Sequence, residues 1–294
     1  MTGPLAWWRR RYWRRDDAAL AQLPGTRPAT VITGASQGIG LELARTFAAN
    51  RSAVLLIARN GDELSEVKSA LAADGTDPQS ASIDTLALDI TAADAAERIA
   101  SRLAQRDLYV DELVNNAGIG ASGPFASQDA LLVNQLTALN VTALTDLSRA
   151  FLPDMLVRGR GGVINIASLG GFTPGPYQAA YYASKAYVIT LTRAMSHEYR
   201  GRGVRFAAVA PGPVNTDFHA KMDAENTLYR TILPALSARR VAKATLFWYK
   251  LGSVIIVPGL LNQLLALALR ILPGFLIIPV MALLLHPWSN ERDI

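Results

Sequence analysis

The chain has 294 residues, 50% of them apolar and 18% charged, so it can bury one large core or two smaller ones and is too hydrophobic to stay disordered. It has no cysteine, which excludes a disulfide framework, a thiolate metal site and a cysteine nucleophile, and which suits a reducing cytoplasm. The histidines, His197, His219 and His286, match no metal-ligand spacing; the formal net charge of +5 resides in five arginines within residues 1–15, leaving the rest nearly neutral and no basic face for nucleic acid.

The N-terminal stretch MTGPLAWWRRRYWRR interleaves Trp7, Trp8, Tyr12 and Trp13 with those arginines and lacks the apolar centre of a secretory signal. Two readings stand for it: an amphipathic segment lying peripherally on the anionic inner face of a membrane, or a solvated tail. From Ala29 onward, short apolar runs alternate with amphipathic stretches, the pattern of βαβ units. Strands are expected at 29–33, 53–58, 83–88, 112–115, 162–167, 204–210 and 253–258, and helices at about 39–50, 61–73, 93–105, 129–158, 179–200 and 238–251. The expected fold is α/β: one doubly wound, Rossmann-type domain over 29–258, with a seven-stranded parallel sheet of order 3-2-1-4-5-6-7, flanked by a tail at 1–28 and an apolar extension at 259–294.

Between Leu251 and Leu285 the only charged residue is Arg270. Prolines, glycines and the amides Asn262 and Gln263 interrupt this run too often for a spanning helix of roughly 20 apolar residues. Asn262, Ala266 and Arg270 fall four apart, so 260–272 reads as a helix with one narrow polar face. A hydrophobic lid, a helix dipping into a membrane interface and a subunit contact are the alternatives.

Directly after the first strand, Thr33-Gly34-Ala35-Ser36-Gln37-Gly38-Ile39-Gly40 opens into a helix. Glycines there let the backbone turn and approach a pyrophosphate, and the helix N-terminus offers free N–H groups. At the end of the second strand, where an acidic residue would accept bonds from a ribose 2′-hydroxyl, Ala58 is followed by Arg59, a cation suited to a 2′-phosphate. NADP(H) is therefore expected over NAD(H). In the stretch YYASKAY, Lys185 shares a helix face with Tyr181, four residues earlier, and not with Tyr182. A phenol of reference pKa about 10 is too weak an acid at neutral pH, and a neighbouring ammonium favours its ionised form. Ser168 ends a strand thirteen residues upstream of Tyr181, and Asn116 and the segment 211–216 end two more on the same sheet edge.

These residues, in this order, resemble the classical short-chain dehydrogenase/reductase family over about 29–258: TGASQGIG at 33–40, Asp89, NNAG at 115–118, Asn140, Ser168, Tyr181 with Lys185, and PGPVNT at 211–216. The tract SLGGFTPGPYQAAYYASKAY, with VPGLLN further on, looks like the DltE-like bacterial branch. The resemblance implies a catalytic tetrad of Asn140, Ser168, Tyr181 and Lys185. Tyr181 would be the acid/base, Ser168 would steady the substrate oxygen, Lys185 would bind the nicotinamide ribose and lower the Tyr181 pKa, and Asn140 would hold a water of a proton relay.

The same resemblance implies cofactor contacts at Gly34, Ser36, Gln37, Gly38, Ile39 and Gly40, at Arg59 for the 2′-phosphate, and at Asp89 and Ile90 for adenine. Asn116, Ala117, Gly118, Pro211 and Gly212 would lie along the cofactor, with Val214 and Thr216 at the carboxamide. Gln37 stands where many NADP-preferring members carry a basic residue, so the coenzyme expectation rests on Arg59. The implied reaction is reversible hydride transfer between NADP(H) and a carbonyl or secondary alcohol, without metal, in a homodimer or homotetramer built on the helices around Asn140 and Tyr181. The apolar C-terminal run points to a lipophilic substrate such as a 3-oxoacyl or steroid-like ketone. The rival readings are a non-catalytic nucleotide-binding scaffold and a membrane-associated interaction protein.

Overall fold

The computed structural model describes residues 17–50, 52–73, 82–222 and 227–287, so the readings of segment 1–15 lie outside it. Seven parallel strands form the main sheet: β1 (Arg27–Thr33), β2 (Ala53–Ala58), β3 (Ile83–Ala87), β4 (Leu108–Asn115), β5 (Gly161–Ile166), β6 (Val204–Val209) and β7 (Ile255–Ile256). Their order is β3-β2-β1-β4-β5-β6-β7, as the sequence pattern predicts. The strands read as continuous apolar runs because both faces are covered. Val54 and Leu56 of β2 face a core shared with α1 (Gly38–Ala49), α2 (Gly61–Ala73) and the later helix α7 (Ala238–Lys250). Leu55 and Ile57 point the other way, towards α3 (Ala95–Ala104), α5 (Leu144–Arg158) and α6 (Ala179–Glu198).

The chain runs from β1 out to β3 and then returns to place β4 on the other side of β1. Strand order reverses there, so the connections leave β1 and β4 on opposite faces and open a crevice at their C-terminal ends. The segments following β1, β4, β5 and β6 all reach this edge.

Several boundaries differ from expectation. Strand β1 starts at Arg27, inside the segment read as tail, and a short helix at Asp17–Gln22 packs on α5. The helix expected over 129–158 is broken: α4 (Ala130–Thr137) passes into a π-helical turn, Ala138–Ala143, before α5. The last strand shrinks to two residues.

Beyond β7 the extension forms two helices, α8 (Leu260–Ile271) and α9 (Gly274–Leu285). Among the described residues no helix is long and apolar enough to cross a membrane. The polar stripe of α8 faces inward, contrary to the usual arrangement: Asn262 and Ala266 are buried, while Leu260, Leu264, Leu267 and Ile271 are exposed. Asn262 donates to the Pro258 carbonyl oxygen at 2.8 Å, and its side chain fills the space beside Gly212. Arg270 lays its guanidinium over the Phe172 ring, 4.1 Å from the centroid.

Candidate active site

The crevice between β1 and β4 is fixed by Thr33 and Asn116. The Thr33 hydroxyl accepts the backbone N–H groups of Asn116 (3.0 Å) and Ala117 (3.1 Å), and the Asn116 side-chain amide donates to the carbonyl oxygens of Thr33 (3.0 Å) and Gly34 (2.9 Å). Gly34 (φ +63°) and Gly38 (φ +58°) have the left-handed backbone that the turn requires. A Cβ at Gly40 would collide with the Gly34 carbonyl oxygen, so the first turn of α1 packs directly on the strand end. Gln37 precedes α1 in an extended conformation, and no side chain caps the helix. Its first N–H groups therefore face the crevice beside Ser36, Gly38 and Ile39, which fits a pyrophosphate. Thr216 closes the other side, 3.1 Å from where a Gly38 Cβ would stand, next to buried Val214.

At the far end of the crevice Arg59 is exposed just past β2. The Asp89 carboxylate accepts the Thr91 backbone N–H (2.9 Å) and hydroxyl (2.8 Å). Those bonds, and to a smaller degree the Arg59 charge, hold Asp89 below its ordinary pKa. Ile90 beside it is buried. A cation and a shaped apolar wall thus stand where an adenosine phosphate and base would lie.

Asn140 and Lys185 of the implied tetrad meet at Gly118. A Cβ there would lie 3.1 Å from Asn140 Oδ1 and 3.5 Å from Lys185 Nζ. Asn140, in the π-helical turn, accepts the Ile119 N–H at 3.0 Å and donates to the Ile119 carbonyl at 2.8 Å and the Ser184 hydroxyl at 3.1 Å. Ser184 in turn donates to the Tyr181 carbonyl at 2.7 Å. Asn140 therefore ties the segment after β4 to the helix that carries Tyr181, and the π-turn is what brings its side chain inward. Ser168 caps a short turn by accepting the Gly170 N–H at 3.1 Å, and its hydroxyl bonds the Tyr181 phenol. Lys185 donates to the Ile166 carbonyl at 2.9 Å, with Nζ 5.7 Å from the Tyr181 ring centroid. Tyr182 turns away, its ring packed on Gly170 and Gly175, as helix spacing predicts.

Electrostatics depart from expectation. Burial pushes Tyr181 up to about 12, and the Ser168 hydrogen bond is the opposing influence. Burial also brings Lys185 down to about 8. The expected lowering of Tyr181 by Lys185 is thus outweighed within the chain itself, because desolvation disfavours both charged forms. Ile277, Met281 and Leu285 of α9 belong to the same buried cluster as Tyr181, Tyr182 and Met222, and Phe218 packs 5.6 Å from Tyr181 between ring centroids. The spacing of Ile277, Met281 and Leu285 is legible as an inward helix face, but its target is not. His286, at the end of α9, meets the edge of Tyr177, a residue held at φ +64°. His197 is exposed, and the His219 side chain lies outside the described structure.

Residues 28–227 match the short chain dehydrogenase family, and the chain belongs to it. The chain is 34% identical over 242 residues to the galactitol 2-dehydrogenase (L-tagatose-forming) of Cereibacter sphaeroides, covering 78% of this chain and 92% of that protein. It is 29% identical over 211 residues to the very-long-chain 3-oxoacyl-CoA reductase-B of Danio rerio, covering 70% and 66% respectively. A short-chain dehydrogenase from Sphingobium yanoikuyae in complex with NADPH superposes with a TM-score of 0.72 at 27% identity, over 90% of this chain and 99% of that one. The protein is an oxidoreductase of the group that interconverts alcohols and carbonyls with a nicotinamide cofactor.

The Lys185 shift sets a pH dependence of stability. Its folded value, about 8, lies below the ordinary 10.5, so between those limits the unfolded chain binds the extra proton and stability rises with pH. Tyr181 has its own window, from 10 to about 12, with the opposite sign. Urea unfolding of wild type and Lys185→Met at pH 7 and 9.5 should show wild type gaining about 2 kcal/mol relative to the variant. A parallel response of the two proteins would mean that Lys185 is fully charged in the fold.

Proposed function

We propose that the protein is an NADP(H)-dependent carbonyl reductase/alcohol dehydrogenase for a lipophilic substrate, with Tyr181 as its acid/base. The observation that carries this reading is the buried Tyr181 phenol, hydrogen-bonded to Ser168 and one helical turn from Lys185, at the crevice between β1 and β4. Gly34, Ser36, Gln37, Gly38, Ile39 and Gly40 would hold the pyrophosphate, Arg59 the 2′-phosphate, Asp89 and Ile90 the adenine end. Asn116, Ala117 and Gly118 would line the path to the nicotinamide, and Pro211, Gly212, Val214 and Thr216 would border its carboxamide. When bound, the nicotinamide supplies or takes up the hydride.

The chain's own residues handle the proton and the orientation. In the reducing direction the substrate oxygen gains negative charge, and the Tyr181 hydroxyl gives it a proton while Ser168 donates a second hydrogen bond to it. A Tyr181 pKa near 12 keeps the proton loaded at neutral pH, the state reduction needs. Lys185, beside Gly118, would stabilise the phenolate left behind and would bind the nicotinamide ribose. Asn140, tied to Ile119 and Ser184, would hold a water of a proton relay through Lys185. Tyr181→Phe should lower turnover about 10²- to 10⁴-fold with NADPH binding retained, whereas Tyr182→Phe keeps most activity, measured by NADPH oxidation. Full activity in Tyr181→Phe would end the mechanism.

Coenzyme preference rests on Arg59, the cation placed where a 2′-phosphate would lie, and the NADPH-bound structural neighbour supports it. Arg59→Ala should raise the KM for NADPH about 10- to 100-fold and leave that for NADH nearly unchanged. Equal effects on both coenzymes would refute the assignment.

The lipophilic substrate is supported by the apolar cover over Tyr181, made by Ile277, Met281, Leu285 and Met222, and by the relative named for very-long-chain 3-oxoacyl-CoA. A polyol such as that of the galactitol relative would leave its hydroxyls unpaired against such a wall. In a series of ketones of rising chain length, kcat/KM should climb by about 3- to 4-fold per added CH₂ until the site is filled. A flat series, or a preference for short polar ketones, would contradict the reading.

A further inference from the structure

Helix α8 carries its apolar stripe on the wrong side for a folded core. Leu260, Leu264, Leu267 and Ile271 recur at spacings of four, three and four, yet are 73%, 58%, 53% and 70% exposed. Helix α9 continues the surface with Phe275, 76% exposed, and Leu283, 57% exposed. The inward faces of both helices are fastened to the site, α8 through Asn262 at Gly212 and α9 through Ile277, Met281 and Leu285 on Tyr181. This exposed surface is therefore a fixed part of the molecule.

We propose that the outer faces of α8 and α9 dock the protein on an anionic lipid bilayer, so that a ketone or alcohol dissolved in the membrane enters beside α9. The proposal rests on the lipophilic-substrate reading for what enters, and on the surface alone for what docks. Charge selects the bilayer's sign: between Leu251 and Leu285 the only charged residue is the cation Arg270. Arg270 stands at the edge of the apolar face, close enough to exposed Arg193 for the two charges to repel. Basic residues rimming an aliphatic face suit lipid headgroups above acyl chains.

Composition favours lipid over a second copy. Protein interfaces concentrate binding energy in Trp, Tyr and Arg, and leucine is under-represented there. This face is almost wholly leucine, isoleucine, valine and proline, with one phenylalanine. The helix Asp17–Gln22 does not cover it either. The helix Asp17–Gln22 packs on α5, and Arg158 holds the Pro24 carbonyl at 2.6 Å, at the end of the sheet where β1 begins. The C-terminal helices stand at the opposite end. Tyr181 lies one helix diameter, about 10 Å, beneath the proposed contact.

The test is vesicle flotation of the full chain, with phosphatidylglycerol/phosphatidylcholine or phosphatidylcholine alone, for wild type and Leu264→Glu/Leu267→Glu/Phe275→Glu. Wild type should float with the anionic vesicles and less with the zwitterionic ones, and the triple variant's bound fraction should fall about tenfold or more. Equal NADPH affinity and turnover of a short soluble ketone check that the variant is folded, and the single variant Leu267→Glu serves if the triple one is not. Failure of wild type to float, or undiminished flotation of the variant, overturns the proposal. Conversion of a dimer to a monomer by the substitutions, without a change in flotation, also overturns it and assigns the face to a second copy. Flotation without turnover of any ketone would instead remove the reaction assigned above and leave the docking surface standing.

Discussion

Strands β1 and β4 are neighbours that must stay joined while their onward connections leave on opposite faces. Parallel pairing holds them as far as Ile32 and Val114. Beyond that the backbone ladder ends, and side chains take over. Thr33 accepts two N–H groups of the β4 exit and Asn116 donates to two carbonyls of the β1 exit. Four hydrogen bonds thus satisfy the backbone groups that splay would leave orphaned. What remains unsatisfied, the first turn of α1, is the part a phosphate would need. The crevice keeps its width because the polar groups that could collapse it are already paired with one another.

A second balance operates thirteen residues past Ser168. Tyr181 and Lys185 are both deeply buried, and burial pushes each towards its neutral form. The Ile166 carbonyl favours the ammonium, and the Ser168 hydroxyl favours the phenolate. At about 8, Lys185 keeps its charge at neutral pH, whereas Tyr181 is held short of phenolate by surroundings that a further positive charge would tip. This division suits a proton donor that must stay loaded until a negative oxygen develops beside it.

Much of this was legible in the chain. The strands and helices followed from apolar runs alternating with helical stretches, and Tyr181 was separable from Tyr182 by helix spacing alone, because both depend on local periodicity; the sheet order followed from the doubly wound plan. Thr33 was invisible: a threonine ending a strand is ordinary until Asn116 is known to stand opposite. The π-turn at Ala138–Ala143 was also hidden, since Leu136, Asn140 and Leu144 fit an unbroken helix equally well. The direction of the Tyr181 shift was misread for a related reason. Sequence spacing reports the nearby Lys185, but desolvation comes from a buried cluster assembled from distant parts of the chain, among them Ala121, Leu136, Met222 and Ile277.

Helix α8 shows why a periodic pattern does not by itself say which side is inside. Its leucines mark a face about as wide as any core-facing stripe, and the narrow polar line Asn262, Ala266, Arg270 leaves open which side faces the protein. The structure turns the polar line inward because the inner surface offers specific polar and aromatic partners: the Pro258 carbonyl, a glycine that admits the Asn262 amide, and the Phe172 ring beneath Arg270. Turning the leucines inward would leave those groups unmatched against hydrocarbon. Helix α9 then carries the consequence to the chemistry. Its inner residues share a buried cluster with Tyr181 and its outer residues are exposed, so one helix joins the outer surface to the buried surroundings of that hydroxyl.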